Sequence, residues 1–257
     1  MKKTLIALVV AASAAVSGSA MAWTDNGIGG TFELRGTLTP VDKATPWQVQ
    51  VAPGVNDLDS SISKGSTKVT IHPGNNIPVL AIRDKAVFHG QTGIVPTINY
   101  NGAIDTSKFT NNTTELTLDV HGENGNKIGV LTAPLFAAAM EKLVWGGSNV
   151  ETHNLYASKD GAFNGGIPTA SGGVNTSGTH DIMEKFFSDI WANEIPKATT
   201  SWHVRDNESF ADAAVEYSAS YASGIRSASD IIIQLDAPAA NDVIKWSAQL
   251  PVTVSYQ

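Results

Sequence analysis

KWSAQLPVTVSYQ, residues 245–257, closes the chain and decides how the rest is read. Trp246, Ala248, Leu250, Val252, Val254 and Tyr256 fall on one face, while Lys245, Ser247, Gln249, Pro251, Thr253 and Ser255 fall on the other. That period of two is the pattern of a strand with one buried face. Just upstream, DIIIQL (230–235) is a continuous apolar run suited to a strand covered on both faces, and IPVLAI (77–82) is another. PWQVQV (46–51), TKVTIH (67–72) and ELTLDVH (115–121) alternate again. GENGN (122–126), between ELTLDVH and KIGVLTA, predicts a hairpin. These segments predict a mainly β protein.

The other end of the chain alternates too. In IGGTFELRGTL (28–38), Ile28, Phe32, Leu34 and Leu38 share a face with Gly30 and Gly36, and Gly29, Thr31, Glu33, Arg35 and Thr37 share the opposite one. This segment follows a secretory signal: Lys2 and Lys3, an apolar stretch from Leu5 to Val16, and the cleavage site Ala20-Met21-Ala22. Residues 1–22 are therefore expected to be removed, with Trp23 opening the mature chain. The apolar stretch falls short of the roughly 20 residues a membrane-spanning helix needs. The expected product is exported.

Of the 257 residues none is cysteine, which excludes thiol chemistry, Cys-metal centres and a disulfide-stapled fold. The formal charge is −7 and becomes −9 once Lys2 and Lys3 leave with the signal. Such a balance gives no support to nucleic-acid binding, which relies on clustered Lys and Arg.

The middle of the chain reads differently. DIMEKFFSDIWANEI (181–195) places Ile182, Phe186 and Ile190 at helical spacing with Met183, Phe187 and Trp191 beside them. Asp181 is the expected cap, and Pro196 the stop. A second helix is expected from Pro134 through Phe136, Met140, Leu143 and Val144 to Gly146-Gly147. GGIPTASGGVNTSG (165–178) has the composition of a mobile surface loop. Residues of about 134–215 therefore read as an inserted helix-and-loop region in a β framework.

No catalytic constellation emerges. Ser61 and Lys64 form S-x-x-K without the SDN or KTG elements that would give it meaning, and no G-x-S-x-G or phosphate-binding loop is present. His180 and Glu184 are four apart, but two ligands make an incomplete metal site. No cofactor or metal is expected. Asn111, Asn112, Asn175 and Asn207 begin N-x-[ST] triplets, read as polar loop positions. Carbohydrate sites pair an aromatic platform with polar groups, so Trp145, Trp191 and Trp202 draw notice, with Lys159 and Asp160 in a nearby loop. Trp191, spaced with Phe187, reads as core. Trp145, Lys159 and Asp160 remain the candidate glycan contacts.

The alternating C-terminus with its penultimate Tyr256, the alternating extension after a signal peptide, and the lack of a clear final strand resemble subunits of chaperone-usher fimbriae. More closely, MKKTLIAL, PWQVQVAPGVNDL, TKVTIHPGNNIPVLAIRDK and YASGIRSASDIIIQLDAPAANDVIKWSAQLPVTVSYQ resemble the kappa-type major subunits of enteric bacteria, whose shaft subunit is itself the adhesin. The resemblance implies an incomplete immunoglobulin-like β-sandwich missing its last strand, with residues 40–257 as the subunit domain. It implies that residues 23–39 are a donor extension, in which Ile28, Gly30, Phe32, Leu34, Gly36 and Leu38 face a neighbour's groove. It also implies that Trp246, Ala248, Leu250, Val252, Val254 and Tyr256 form the strand that meets a periplasmic chaperone. The other implied partners are an outer-membrane usher, copies of the chain itself in a surface fibre, and a host glycan or glycoprotein receptor. Two other readings stand beside it: a minor fimbrial subunit without lectin activity, and a free secreted binding module or enzyme with a complete sandwich.

Overall fold

Residues 33–39, 44–147, 149–195 and 203–257, together with Asp25, are described by the computed structural model. The chain divides into two units, Met1–Lys43 and Ala44–Gln257. In the second, the described residues form β1 (Trp47–Val51), β2 (Lys68–Ile71), β3 (Ile77–Asp84), β4 (Phe88–His89), β5 (Pro96–Asn99), β6 (Thr113–Gly122) and β7 (Lys127–Trp145). After them come β8 (Asn149–Tyr156), α1 (Thr179–Phe186), β9 (His203–Asp206), β10 (Glu216–Ile225), β11 (Ile231–Leu235), β12 (Trp246–Ala248) and β13 (Thr253–Tyr256). The protein is mainly β, as the alternating segments predict.

β7 organises the sheet. Its first half pairs with β6 on one side and β11 on the other, and its second half pairs with β8 and β10. From β10 the sheet continues through β3 to β1, and from β11 to β2, while β12 extends it beyond β6. β13 pairs with β5 in a separate two-stranded sheet. Every named pair is antiparallel except β8 with β9. The expected hairpin joins β6 to β7, its turn closed by Gly125 N–H donating to Gly122 O and Gly122 N–H donating to Asn126 O.

Two apolar clusters explain the burial. The larger gathers Leu80, Ile82, Ile98, Leu116, Leu135 and Leu155 around an aromatic group in which Trp47 meets Phe88, Phe163 and Phe210 at 5.2–5.7 Å. Deep within it, Tyr100 and Tyr221 share a hydroxyl hydrogen bond of 2.8 Å, and Tyr100 also bonds the Ser223 hydroxyl at 2.6 Å. Burial holds the Tyr100 phenol up at about 12, so the pair stays neutral. The smaller cluster lies on the opposite face of β7 and β10, where Phe136, Ala138, Met140 and Ala222 meet Met183, Phe186, Phe187 and Ile190. α1 can seat closely there because Gly224 has no side chain: a Cβ at that position would stand 2.4 Å from the Phe186 ring.

This second cluster corrects the helix expected at 134–147, which is instead the latter half of β7. A strand covered on both faces needs apolar residues at every position, and any unbroken apolar run also satisfies helical spacing. Residues 135–141 are all buried, Leu135, Ala137 and Ala139 toward the large cluster and Phe136, Ala138 and Met140 toward the small one. The helix expected from Asp181 to Ile195 is also shorter. It opens with Gly178 at the cap position and ends at Phe187, whose backbone turns extended, leaving Asp181 in the first turn. Ser188, Asp189 and Asn193 are poor helix formers, and the sheet ties two of them down: Arg83 binds Asp189, and Asn193 donates to the Asp84 carbonyl at 2.8 Å.

The 165–178 segment is not the free surface loop its composition predicts. Gly166, Ile167 and Pro168 are buried, and the Gly165 backbone runs against Ile98. Asn112, wholly inside with φ +57°, donates to Ala137 O at 3.2 Å and accepts from Asn175 N–H at 2.6 Å, pinning the end of the segment. α1 and the 165–178 segment thus both lie between β8 and β9 in chain order.

Candidate functional site

The C-terminal alternation is preserved in space. From Ile244 to Tyr256 every second side chain is half-buried against the large cluster and its neighbours are exposed. Pro251 lies in the break between β12 and β13. None of these inward side chains is fully buried, so their core face is only partly covered. β12 pairs only with β6 and β13 only with β5, leaving each with a free edge among the described residues.

β1 has the same incompleteness. Trp47, Val49 and Val51 share the core face, since Val49 and Val51 stand opposite the wholly buried Ile82 and Leu80. Trp47 is buried, its indole N–H donating to Ile94 O at 2.6 Å, but Val49 is 43% and Val51 62% exposed. Tyr256 interacts with the Thr45 side chain, which brings the last strand beside the approach to β1. Two strands with apolar faces half in water and unpaired edges therefore stand close together, an arrangement that ordinary sheets avoid.

In the first unit, Leu34 and Leu38 are 83% and 99% exposed, and nothing lies near Gly36. Arg35 and Glu33 form a bidentate ion pair on the other parity, at 2.7 and 2.9 Å. Ile28, Gly30 and Phe32 lie outside the described residues, as do the signal segment and Trp202.

Trp145 stands at the turn joining β7 to β8, part-exposed, with its indole N–H donating to Glu151 Oε1 at 3.2 Å. Lys159 and Asp160 are exposed in the turn after β8, where Lys159 N–H donates to Asn207 Oδ1. Trp145 and this turn therefore sit at opposite ends of β8, on the order of 25 Å apart at the rise of a strand. Trp191 packs partly buried against the small cluster and stacks on His180 at 4.3 Å and 6°. His180, Asp181 and Glu184 each bring a ligand atom within 4.8 Å of the others. Both carboxylates are exposed on one short helix, a surface arrangement common without any ion.

A buried charged group spans the neighbouring strands β7, β8 and β9. Glu141 on β7, fully enclosed, accepts from His153 at 2.9 Å, and His153 also approaches Glu151 at 3.4 Å. Arg205 on β9 lies 3.8 Å from Glu141 and 2.7 Å from Glu208. Glu208 in turn accepts the backbone N–H groups of Ser209 and Phe210, fixing a turn in which Asn207 and Phe210 both have φ near +49°. Burial pushes the Glu141 carboxyl up to about 7, against the pull of His153. A lone Glu within an apolar run was the available signal. Asp84 repeats the pattern: burial raises it to about 6 while it accepts the Ala219 N–H at 3.0 Å.

β1 and the C-terminal strands β12 and β13 each keep a free edge among the described residues, and the buried Glu141 and Glu208 are engaged with His153 and Arg205. Sequence comparison then places the chain. The profile of the family described as "Fimbrial, major and minor subunit" matches residues 1–257, and the chain belongs to that family. It is 30% identical to K88 fimbrial protein AB of Escherichia coli over 288 aligned positions, spanning the whole of both chains. Identity to K88 fimbrial protein AD is 28%, and to the F41 fimbrial protein 27%, both of E. coli and again over full length. The resemblance to fimbrial major subunits of enteric bacteria therefore holds. The family is structural, and its place is the surface fimbrium.

Proposed function

We propose that this subunit polymerises by donor-strand complementation and that the fibre it forms binds host cell-surface glycans or glycoproteins. One observation carries the first part: the core faces of β1 and of residues 244–256 are only partly covered, beside free strand edges. The second unit is then an incomplete immunoglobulin-like sandwich, and the occupant of its groove is the extension of the next copy, residues 23–39. Leu34 and Leu38 suit that role because they alternate with polar residues and are exposed on their own subunit. A periplasmic chaperone fills the groove during export, meeting Trp246, Ala248, Leu250, Val252, Val254 and Tyr256, and an outer-membrane usher exchanges one strand for the other. The groove supplies backbone partners as well as apolar contacts, as strand addition requires.

Deleting residues 23–39 of the mature chain tests the polymer reading. The shortened subunit should still be recovered with its chaperone and yield no fibres by electron microscopy; fibres of normal length would refute donor-strand assembly. Receptor binding is supported by the segments between β7 and β10, which carry Trp145, Lys159 and Asp160 to the surface. Purified fibres should bind defined oligosaccharides on a glycan array, and a silent array would overturn that part alone.

A further inference from the structure

Four asparagines stand directly before a glycine: Asn26, Asn101, Asn124 and Asn164. Such a step is prone to deamidate itself, because glycine has no side chain to shield its backbone nitrogen. That nitrogen attacks the asparagine Cγ, a new N–C bond forms, and the side-chain Nδ2 leaves as ammonia. Water then opens the cyclic imide at one or other carbonyl, giving aspartate or isoaspartate. Water is the sole co-reactant, so the fold decides which site reacts. The asparagine amide must be free to swing, and the glycine nitrogen must be free to attack. Asn26 lies outside the described residues.

The other three sites differ in both respects. Asn164 is half-buried and held at both backbone groups: its N–H donates to Gly161 O at 3.1 Å, and its carbonyl accepts from Ile98 N–H at 2.8 Å. Gly165, its neighbour, is pressed against the Ile98 backbone. Asn124 is exposed in the hairpin between β6 and β7, but its reacting atoms are committed. Asn124 Oδ1 accepts from Asn126 N–H at 3.3 Å, and Gly125 N–H, the group that would attack, donates to Gly122 O at 2.9 Å.

Asn101 is tied in neither way. It follows β5 in a two-residue turn closed by Ala103 N–H donating to Tyr100 O at 3.0 Å, with φ of +52° at Asn101 and +79° at Gly102. Both residues are exposed, and among the described residues neither the Asn101 amide nor the Gly102 N–H has a hydrogen-bond partner. Nothing lies within 4 Å of the place a Gly102 Cβ would take, so the imide ring can close without meeting a neighbour. The flanks are firm. The Tyr100 hydroxyl bonds Tyr221 and Ser223, and Ala103 O accepts from Thr117 N–H at 2.9 Å. The tip of the turn is thus free to react while its ends stay fixed.

We propose that Asn101 is a spontaneous deamidation site of the folded subunit, reacting ahead of Asn124 and Asn164. The product places a negative charge at the end of β5, the strand that pairs with β13. Its isoaspartyl branch also adds one backbone atom between the two fixed ends of the turn. The subunit therefore ages in one direction, beside its own C-terminal strand.

Peptide mapping by liquid chromatography and mass spectrometry tests this on purified fibres incubated at pH 8, with the same chain unfolded in guanidinium as the reference. The method separates the asparagine, aspartate and isoaspartate forms of each peptide. In the unfolded chain the three sites should convert at comparable rates. In fibres, each of the two hydrogen bonds that Asn124 must break is worth roughly fivefold in an equilibrium, so Asn101 should convert at least about tenfold faster than Asn124. Asn164 should be slower than Asn101 by a similar margin. Conversion at Asn101 should also quicken from pH 7 to 9, because the attacking nitrogen must lose its proton. Three sites that keep the same relative rates in fibres as in the unfolded chain would overturn the assignment. So would Asn101 that stays intact in fibres while Asn124 or Asn164 converts, or after the unfolded chain has converted.

Discussion

Replacing Leu34 and Leu38 together by alanine should loosen the joint between subunits and leave each subunit as stable as before. On their own subunit the two side chains are 83% and 99% exposed, so truncation removes almost no internal packing. In a neighbour's groove each leucine would gain about 1.5–3 kcal/mol by transfer from water. Truncating packed leucines costs about 2–5 kcal/mol, and a groove along a sheet edge belongs at the lower end, so about 2 kcal/mol at each position. Four residues apart on an extended strand they stand roughly 13 Å from one another, far enough for their effects to add. The joint then weakens by about 4 kcal/mol, on the order of 10³-fold in its equilibrium. For a domain of this size 1 kcal/mol moves a melting midpoint by about 2–4 °C. Fibres of the double variant should therefore melt about 8–16 °C lower by circular dichroism, while the chaperone-bound subunit melts unchanged. Glu33→Gln, which breaks only an exposed ion pair on the other parity, serves as the control and should shift neither. Double-variant fibres that melt within about 2 °C of wild type would refute the assignment of these leucines to an intersubunit groove.

Fibre stability should also fall as pH rises from about 4.5 to 7. The folded protein holds a proton on Glu141 up to about 7 where an unfolded chain releases it near 4.5, so stability is fullest below the lower value and is lost toward the upper. Asp84, raised to about 6, adds with the same sign. Glu141→Gln should flatten most of that slope in melts taken from pH 4.5 to 8, and an unchanged slope would remove Glu141 as its source. Gly165→Ala should sharply reduce fibre yield on a Western blot of surface extracts, because the residue has φ +79° and a Cβ there would lie 2.0 Å from Ile98 O. Asn112→Ala should cost about 2–4 kcal/mol in chemical unfolding, since it strips partners from the Ala137 carbonyl and the Asn175 N–H in the interior.

The strands with one wet face were legible because alternation is a local signal: Val69 and Ile71, Leu116 to Val120, and Trp246 to Tyr256 all lie in strands or in the half-buried rows continuous with them. Those covered on both sides were legible only when β-branched residues dominate. Ile231 to Leu235 reads as a strand, whereas Leu135 to Met140, built from leucine, phenylalanine, alanine and methionine, carries helix formers into a sheet. What overrides propensity there is packing between two clusters, which depends on β10 and α1 and has no trace in the segment itself. The same reason hid the tie between the sheet edge and the segment after α1: Gln48 looks like the solvent face of an edge strand until Arg83 links it to Asp189. Arg83 and Asp189 are 106 residues apart, and no spacing rule joins such a pair.

β7 has a mechanical meaning as well. A surface fibre is dragged by flowing liquid, and a chain without cysteine has no covalent cross-link to carry the pull. Load travelling along a 19-residue strand flanked by ladders to β6, β8, β10 and β11 must shear many hydrogen bonds at once instead of peeling them one by one. A pull that reached this strand would therefore meet paired neighbours along its whole length, with no covalent tie needed to resist it.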